Sequence, residues 1–125
     1  MHTDPMNSDS EVTLKLTERV LKALAHRSRL QIVQFIGRGE ACVSDLQKIV
    51  GSDMSTVSKH LAVLKNAGVV EDRKVGLQVF YRLRISCMSD FIHCIGAVIT
   101  GQPVVLPPEL MNDPRSKLLG IKTPD

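Results

Sequence analysis

The chain has 125 residues, enough for one domain around one modest core. It has no Trp and a single Tyr, which excludes a module that reads nucleic acid by stacking bases on aromatic platforms. A net charge of +3 and a pI near 8.9 permit a polyanionic partner without demanding one.

The N-terminus, MHTDPMNSDSE, is polar and acidic, unlike a signal peptide, and no apolar run is long enough to cross a bilayer. A cytoplasmic protein with no membrane partner is expected. An odd number of cysteines in that reducing compartment argues against a disulfide framework.

Residues 1–11 read as a disordered tail. From Val12 the pattern changes: Leu16, Val20, Leu21 and Leu24 recur at helical spacing, predicting a first helix that ends near Ala25. Arg27 and Ser28 introduce a second helix with Leu30, Ile32, Val33 and Ile36 apolar, stopped by Gly37 and Gly39. A short third helix follows Cys42, with Val43, Leu46 and Val50 inward and Gly51 as its stop. Ser52 or Asp53 is placed to N-cap a fourth helix, whose Met54, Val57, Leu61 and Leu64 form one core-facing stripe that ends at Gly68. Two short helices joined by a Gly-containing turn predict a helix-turn-helix.

Val69–Lys74 and Gln78–Arg84 then read as two strands, with Val75-Gly76 as the tight turn between them. Ser86 to Thr100 reads as a last helix, apolar on more than one face, which a second copy of the chain would cover. The folded domain is thus expected over residues 12–100, with residues 101–125 a Pro-rich, irregular tail.

With its apolar stripe turned inward, the fourth helix points Ser55, Lys59 and Asn66 outward, with Thr56 on the flank. Small hydroxyls at Ser55 and Thr56 allow close approach to base edges, and Lys59 reaches a base or phosphate oxygen. Ser58 and His60 lie nearer the sides as phosphate contacts, although a histidine beside Leu61 also suits packing. The hairpin adds Arg73, Lys74 and Gln78 beside the same surface. A polar-faced helix next to a basic ribbon implies a double-stranded DNA partner. There is no Gly-rich phosphate loop, no HExxH and no Ser nucleophile elbow, which argues against an enzyme and leaves no organic cofactor expected.

The stretches LKALAHRSRLQIVQFI and GEACVSDLQKIVGSDMSTVSKHLAVLKNAGVVEDRKVGLQVFYRL resemble the ArsR/SmtB family of winged-helix metalloregulators, over roughly Leu14 to Ile99. The resemblance implies a winged helix-turn-helix, mainly α with a small β-hairpin, that dimerises through its first and last helices. It also implies a repressor that holds operator DNA until an inducer binds. The arsenic-sensing branch typically carries ELCVCDL at the third helix. Here the stretch is EACVSDL, so Cys42 falls on the first cysteine of that motif and Ser44 on the second. The zinc-sensing branch uses Asp and His ligands along the last helix, where this chain offers Asp90 and His93 alone.

The remaining soft donors are Cys42, Cys87 and Cys94. Thiolates select soft ions, so As(III) or Sb(III) is the expected inducer, with Cd or Zn as alternatives. Were Cys87 and Cys94 both helical, they would stand about 10.5 Å apart along the axis. One site therefore requires Cys87 in the loop before the helix, or a cysteine from the other subunit. Two further readings stay open: a redox or reactive-sulfur sensor that forms a disulfide or polysulfide, and a winged-helix interaction module that never touches DNA.

Overall fold

The computed structural model describes residues 5–101. The expectations for residues 1–4 and 102–125 lie outside the described residues. Among the described residues, those up to Met88 form one compact unit and those from Ser89 onward a second. The first unit holds α1 (Pro5–Leu24), α2 (Arg27–Ile36), β1 (Ala41–Cys42), α3 (Val43–Val50), α4 (Met54–Asn66), β2 (Val70–Val75) and β3 (Gln78–Leu83). The helix α5 (Met88–Thr100) lies almost entirely in the second unit.

α1 starts at Pro5, well ahead of the Val12 start that the apolar spacing predicts, so residues 5–11 are helical and not a tail. Proline at the first position of a helix loses no hydrogen bond, because that N–H has no intrahelical acceptor. The first two turns carry no apolar stripe, which is why periodicity misses them. Val12, Leu14, Leu16 and Leu21 are exposed along α1, whereas Ala23 and Leu24 at its end are buried.

α2 and α4 supply the centre of the core. Ile32 and Val33 from α2, Leu46 from α3, Val57, Leu61 and Leu64 from α4, and Val69 are all fully buried. On α4 these residues recur four and three positions apart, and on α2 the buried Ile36 follows Ile32 and Val33 at the same helical spacing. Met54 departs from the expected stripe: it is 50% exposed, because it occupies the first position of α4, beyond the edge of the core. α3 closes on Gly51 in the left-handed conformation (φ 74°), and three residues later α4 begins. A side chain with a Cβ takes that conformation only at a cost, so glycine makes the sharp turn between the two helices.

The sheet is three-stranded, in the order β1-β3-β2, all antiparallel. Val75 pairs with Gln78, so the turn is Gly76-Leu77 and not the expected Val75-Gly76. Gly76 has φ 62° and Leu77 has negative φ, the pattern of a type II′ turn, which matches the twist of a hairpin. β1 was not foreseen. It is two residues long, and its pairing of Ala41 with Tyr81 and Cys42 with Phe80 is set by chain closure, not by local alternation.

α2 is tied to α4 by a cluster of His26, Arg29 and His60. His26 N-caps α2, its Nδ1 accepting the Ser28 N–H at 3.1 Å. Its ring lies 4.5 Å from that of His60 on α4, tilted by 48°. Arg29 donates through Nε to the Ala23 carbonyl at the end of α1 and sets Nη1 3.4 Å from His60 Nδ1. Partial burial, then His26, then Arg29 hold the His60 pKa below its ordinary value. The neutral ring, accepting from Arg29, is the form that this packing favours.

Two outcomes follow from the packing. Leu61→Ala removes a fully buried side chain from the centre of α4 and is expected to cost about 2–5 kcal/mol in urea unfolding. Because the His60 pKa is lower folded than unfolded, its contribution is fully present at neutral pH. It declines as pH falls below about 6.5, where the unfolded chain binds the proton first. Urea midpoints measured from neutral to mildly acid pH should fall less in His60→Gln than in the unmodified protein.

Candidate nucleic-acid interface and the cysteines

The burial of Val57, Leu61 and Leu64 fixes which side of α4 faces solvent. Ser55, Ser58, Lys59, Ala62, Val63 and Asn66 are exposed, and Thr56 is half-buried. The helix is N-capped by Asp53, whose Oδ1 accepts the Thr56 N–H at 2.7 Å and the Ser55 hydroxyl at 3.0 Å. Those bonds, the Thr56 N–H foremost, hold the Asp53 carboxyl below its usual range. The positive end of the α4 dipole is therefore already met by a carboxylate. His60 is the residue of the expected DNA set that turns elsewhere: its half-buried ring faces His26 and Arg29.

The hairpin separates the other three residues of that set. Side chains alternate across a strand, so Arg73 and Gln78 share one face and Lys74 the other. Lys74 is on the face of Asp72, which receives Lys65 of α4 at 2.9 Å. That pair joins the hairpin to the end of the candidate recognition helix. On the opposite face Arg73 Nη2 donates to Glu40 Oε2 at 2.6 Å. Arg82 lies 2.6 Å from Glu71 and 4.0 Å from the second Glu40 oxygen. Spacing analysis of the basic residues did not reveal Glu40, because it contacts Arg73 only when β1 docks on β3.

The three cysteines are free. Cys42 ends β1 and N-caps α3, standing in one cross-strand row with Phe80 and Arg73. Its thiol donates to Asp45 Oδ2 at 3.1 Å, its N–H donates to the same oxygen at 3.4 Å, and Ser44 Oγ lies 3.0 Å from the sulfur. The thiol and the amide of Cys42 together lower the Asp45 pKa. Cys87 is exposed in the turn just before α5, and Cys94 is half-buried within α5. Among the described residues no group of three or more His, Cys, Asp and Glu side chains comes together in a way that could hold a metal ion. No described helix is long and apolar enough to cross a membrane.

Known proteins agree with this architecture. Residues 26–72, from the α2 cap into β2, match the family described as bacterial regulatory protein, arsR family. The biofilm growth-associated repressor of Xylella fastidiosa strain 9a5c is 31% identical over 94 residues, which is 75% of this chain and 82% of that one. The arsenical resistance operon repressor of Escherichia coli K12 is 41% identical over 66 residues, covering 52% of this chain and 56% of its own. Among solved structures, the chain is similar to a homodimeric winged helix-turn-helix DNA-binding domain from Mycobacterium bovis, a possible ArsR-family transcriptional regulator. The TM-score is 0.66 at 31% identity, over 73% of this chain and 84% of that one. With its helix-turn-helix, its three-stranded sheet and these relatives, this chain belongs to the ArsR family of bacterial regulatory proteins, and it is a regulator and not an enzyme.

Proposed function

We propose that the protein is a transcriptional repressor that binds double-stranded operator DNA as a homodimer and lets go when its cysteines take up a thiophilic inducer, As(III) or Sb(III) foremost. The observation that carries the DNA reading is the two-sidedness of α4: one side is sunk in the core and the other is exposed, polar and basic. In this reading Ser55 and Thr56 lie against base edges near the start of α4, and Lys59 reaches a base or phosphate oxygen. Asp53 already meets the helix end, so the phosphate contacts fall to Ser58, Lys59 and the hairpin residues Arg73, Lys74 and Gln78. His60 serves by holding α4 against α2, with its ring already engaged.

Dimerisation through the first and last helices is supported by their exposed apolar residues. These are Val12, Leu14, Leu16 and Leu21 on α1, and Phe91, Ile95, Val98 and Ile99 on α5. A monomer rarely leaves so much large apolar surface uncovered. Two copies would set two α4 helices about one turn of duplex apart.

The inducer reading rests on the thiol chemistry of Cys42, Cys87 and Cys94, and on the arsenical-resistance name of the Escherichia coli relative. No group of three or more His, Cys, Asp and Glu side chains that could hold a metal ion comes together among the described residues. In this reading a cysteine from the second copy completes the donor set. The same free thiols carry a second reading, in which two of the cysteines join as a disulfide or polysulfide under oxidising or sulfur-rich conditions.

Two measurements test the proposal. Lys59→Ala should bind a generic duplex more weakly and, if the lysine meets phosphate, reduce the slope of log affinity against log salt by about one. Wild-type affinity and slope in that variant would remove Lys59 from the interface. For the inducer, adding As(III) should consume thiols and weaken binding to a duplex selected from a random pool, with each Cys→Ser variant retaining more affinity. If As(III) leaves both unchanged while mild oxidant produces a cross-linked cysteine pair by mass, the sensing reading passes to redox.

A further inference from the structure

The ion pairs of the hairpin point to a role for a residue outside the set considered so far. Glu40 sits immediately before β1, and its side chain is 30% exposed. One carboxylate oxygen receives Arg73 at 2.6 Å, and the other lies 4.0 Å from Arg82. Arg82 is also paired with Glu71 at 2.6 Å. The residues on this face, Glu71, Arg73 and Arg82 together with Glu40, therefore sum to no net charge, although the hairpin reads as basic in the sequence. Lys65, the other base at the hairpin root, is likewise taken up by Asp72.

We propose that Glu40 limits how strongly the hairpin engages DNA, by holding Arg73 in the free protein so that Arg73 must exchange this carboxylate for a phosphate on binding. The inference rests on the DNA-binding reading and extends it to a residue that sets affinity and its salt dependence. The exchange is feasible because Arg73 is 58% accessible and Glu40 is 30% exposed, and solvent-reached pairs of this kind contribute little to stability. A carboxylate at this position also repels phosphate directly. Both effects work in one direction: with Glu40 present, Arg73 contributes less to duplex affinity than a lone arginine would, and fewer counterions leave the duplex on binding.

The geometry explains why the restraint sits here. Arg73 stands opposite Phe80, and Phe80 opposite Cys42, so β1 lies two strands from Arg73 with β3 between. A glutamate one residue ahead of β1 has the reach to cross β3 and meet the guanidinium.

The test is duplex binding by fluorescence anisotropy over a range of salt, using a generic duplex, for the unmodified protein, Glu40→Gln, Arg73→Gln and the double variant. Glu40→Gln is expected to raise affinity by roughly three- to tenfold at low salt and to steepen the salt slope by about one. In the Arg73→Gln background most of that gain should vanish, because the released side chain is no longer there. Glu18→Gln, which removes an acid paired with Lys22 on α1, controls for net charge alone. The proposal is overturned if Glu40→Gln leaves affinity and slope unchanged, or weakens binding as loss of a positioning brace would. A gain that survives intact in the double variant, or that Glu18→Gln reproduces, also overturns it. If neither the unmodified protein nor Glu40→Gln binds duplex at low salt, the DNA reading falls and takes this inference with it.

Discussion

The seating of Val57, Leu61 and Leu64 in the core is the constraint on which the other features depend. These side chains are fully buried among Ile32, Val33, Leu46 and Val69. Once they are seated, the rotation of α4 about its own axis is set, because neighbouring residues on a helix are separated by a fixed turn of about 100°. The exposure of Ser55, Ser58, Lys59 and Asn66 follows from that seating. The His26–His60–Arg29 cluster reinforces it from the flank, joining α4 to α2 and, through the Ala23 carbonyl, to the end of α1. A polar surface built this way is held by apolar packing and needs no ligand to form it.

The electrostatics of the candidate interface are less simple than its composition. Basic residues on α4 and the hairpin are interleaved with acids: Asp53 caps the helix, Asp72 holds Lys65, Glu71 holds Arg82 and Glu40 holds Arg73. Among the residues placed on the interface, Lys59 and Lys74 are the cations to which no ion pair is assigned. A surface with that balance attracts a polyanion weakly at long range. Under the proposal made for Glu40, its basic character emerges only where acid–base pairs open against phosphate.

The cysteines stand in three different settings. Cys42 joins the strand paired with the hairpin to the first helix of the helix-turn-helix, and its thiol and amide both lean on Asp45. Chemistry at that sulfur acts where α3 begins. Cys87 is exposed in a turn and Cys94 is half-buried within α5, so the three differ in access. Spacing along the chain placed Cys87 ahead of the last helix as one condition for a shared site. Cys87 does precede α5, which begins at Met88.

The amino-acid sequence by itself determined the elements that rest on local physics. The apolar period of α2 and α4, the cap at Asp53, and the glycines at positions 51 and 76 specify the helix-turn-helix and the hairpin. These are short-range effects, set within one or two turns of chain. The tertiary structure alone decided β1, the outward position of Met54, the engagement of His60 with His26 and Arg29, and the pairing of Arg73 with Glu40. Each of these joins residues that no local pattern relates, such as Arg73 and Glu40, 33 positions apart, or Arg29 and His60, 31 apart. Helical and strand periodicities tell which way a side chain points from its own element. They do not tell what stands there to meet it, because that depends on how elements far apart in the chain are brought together.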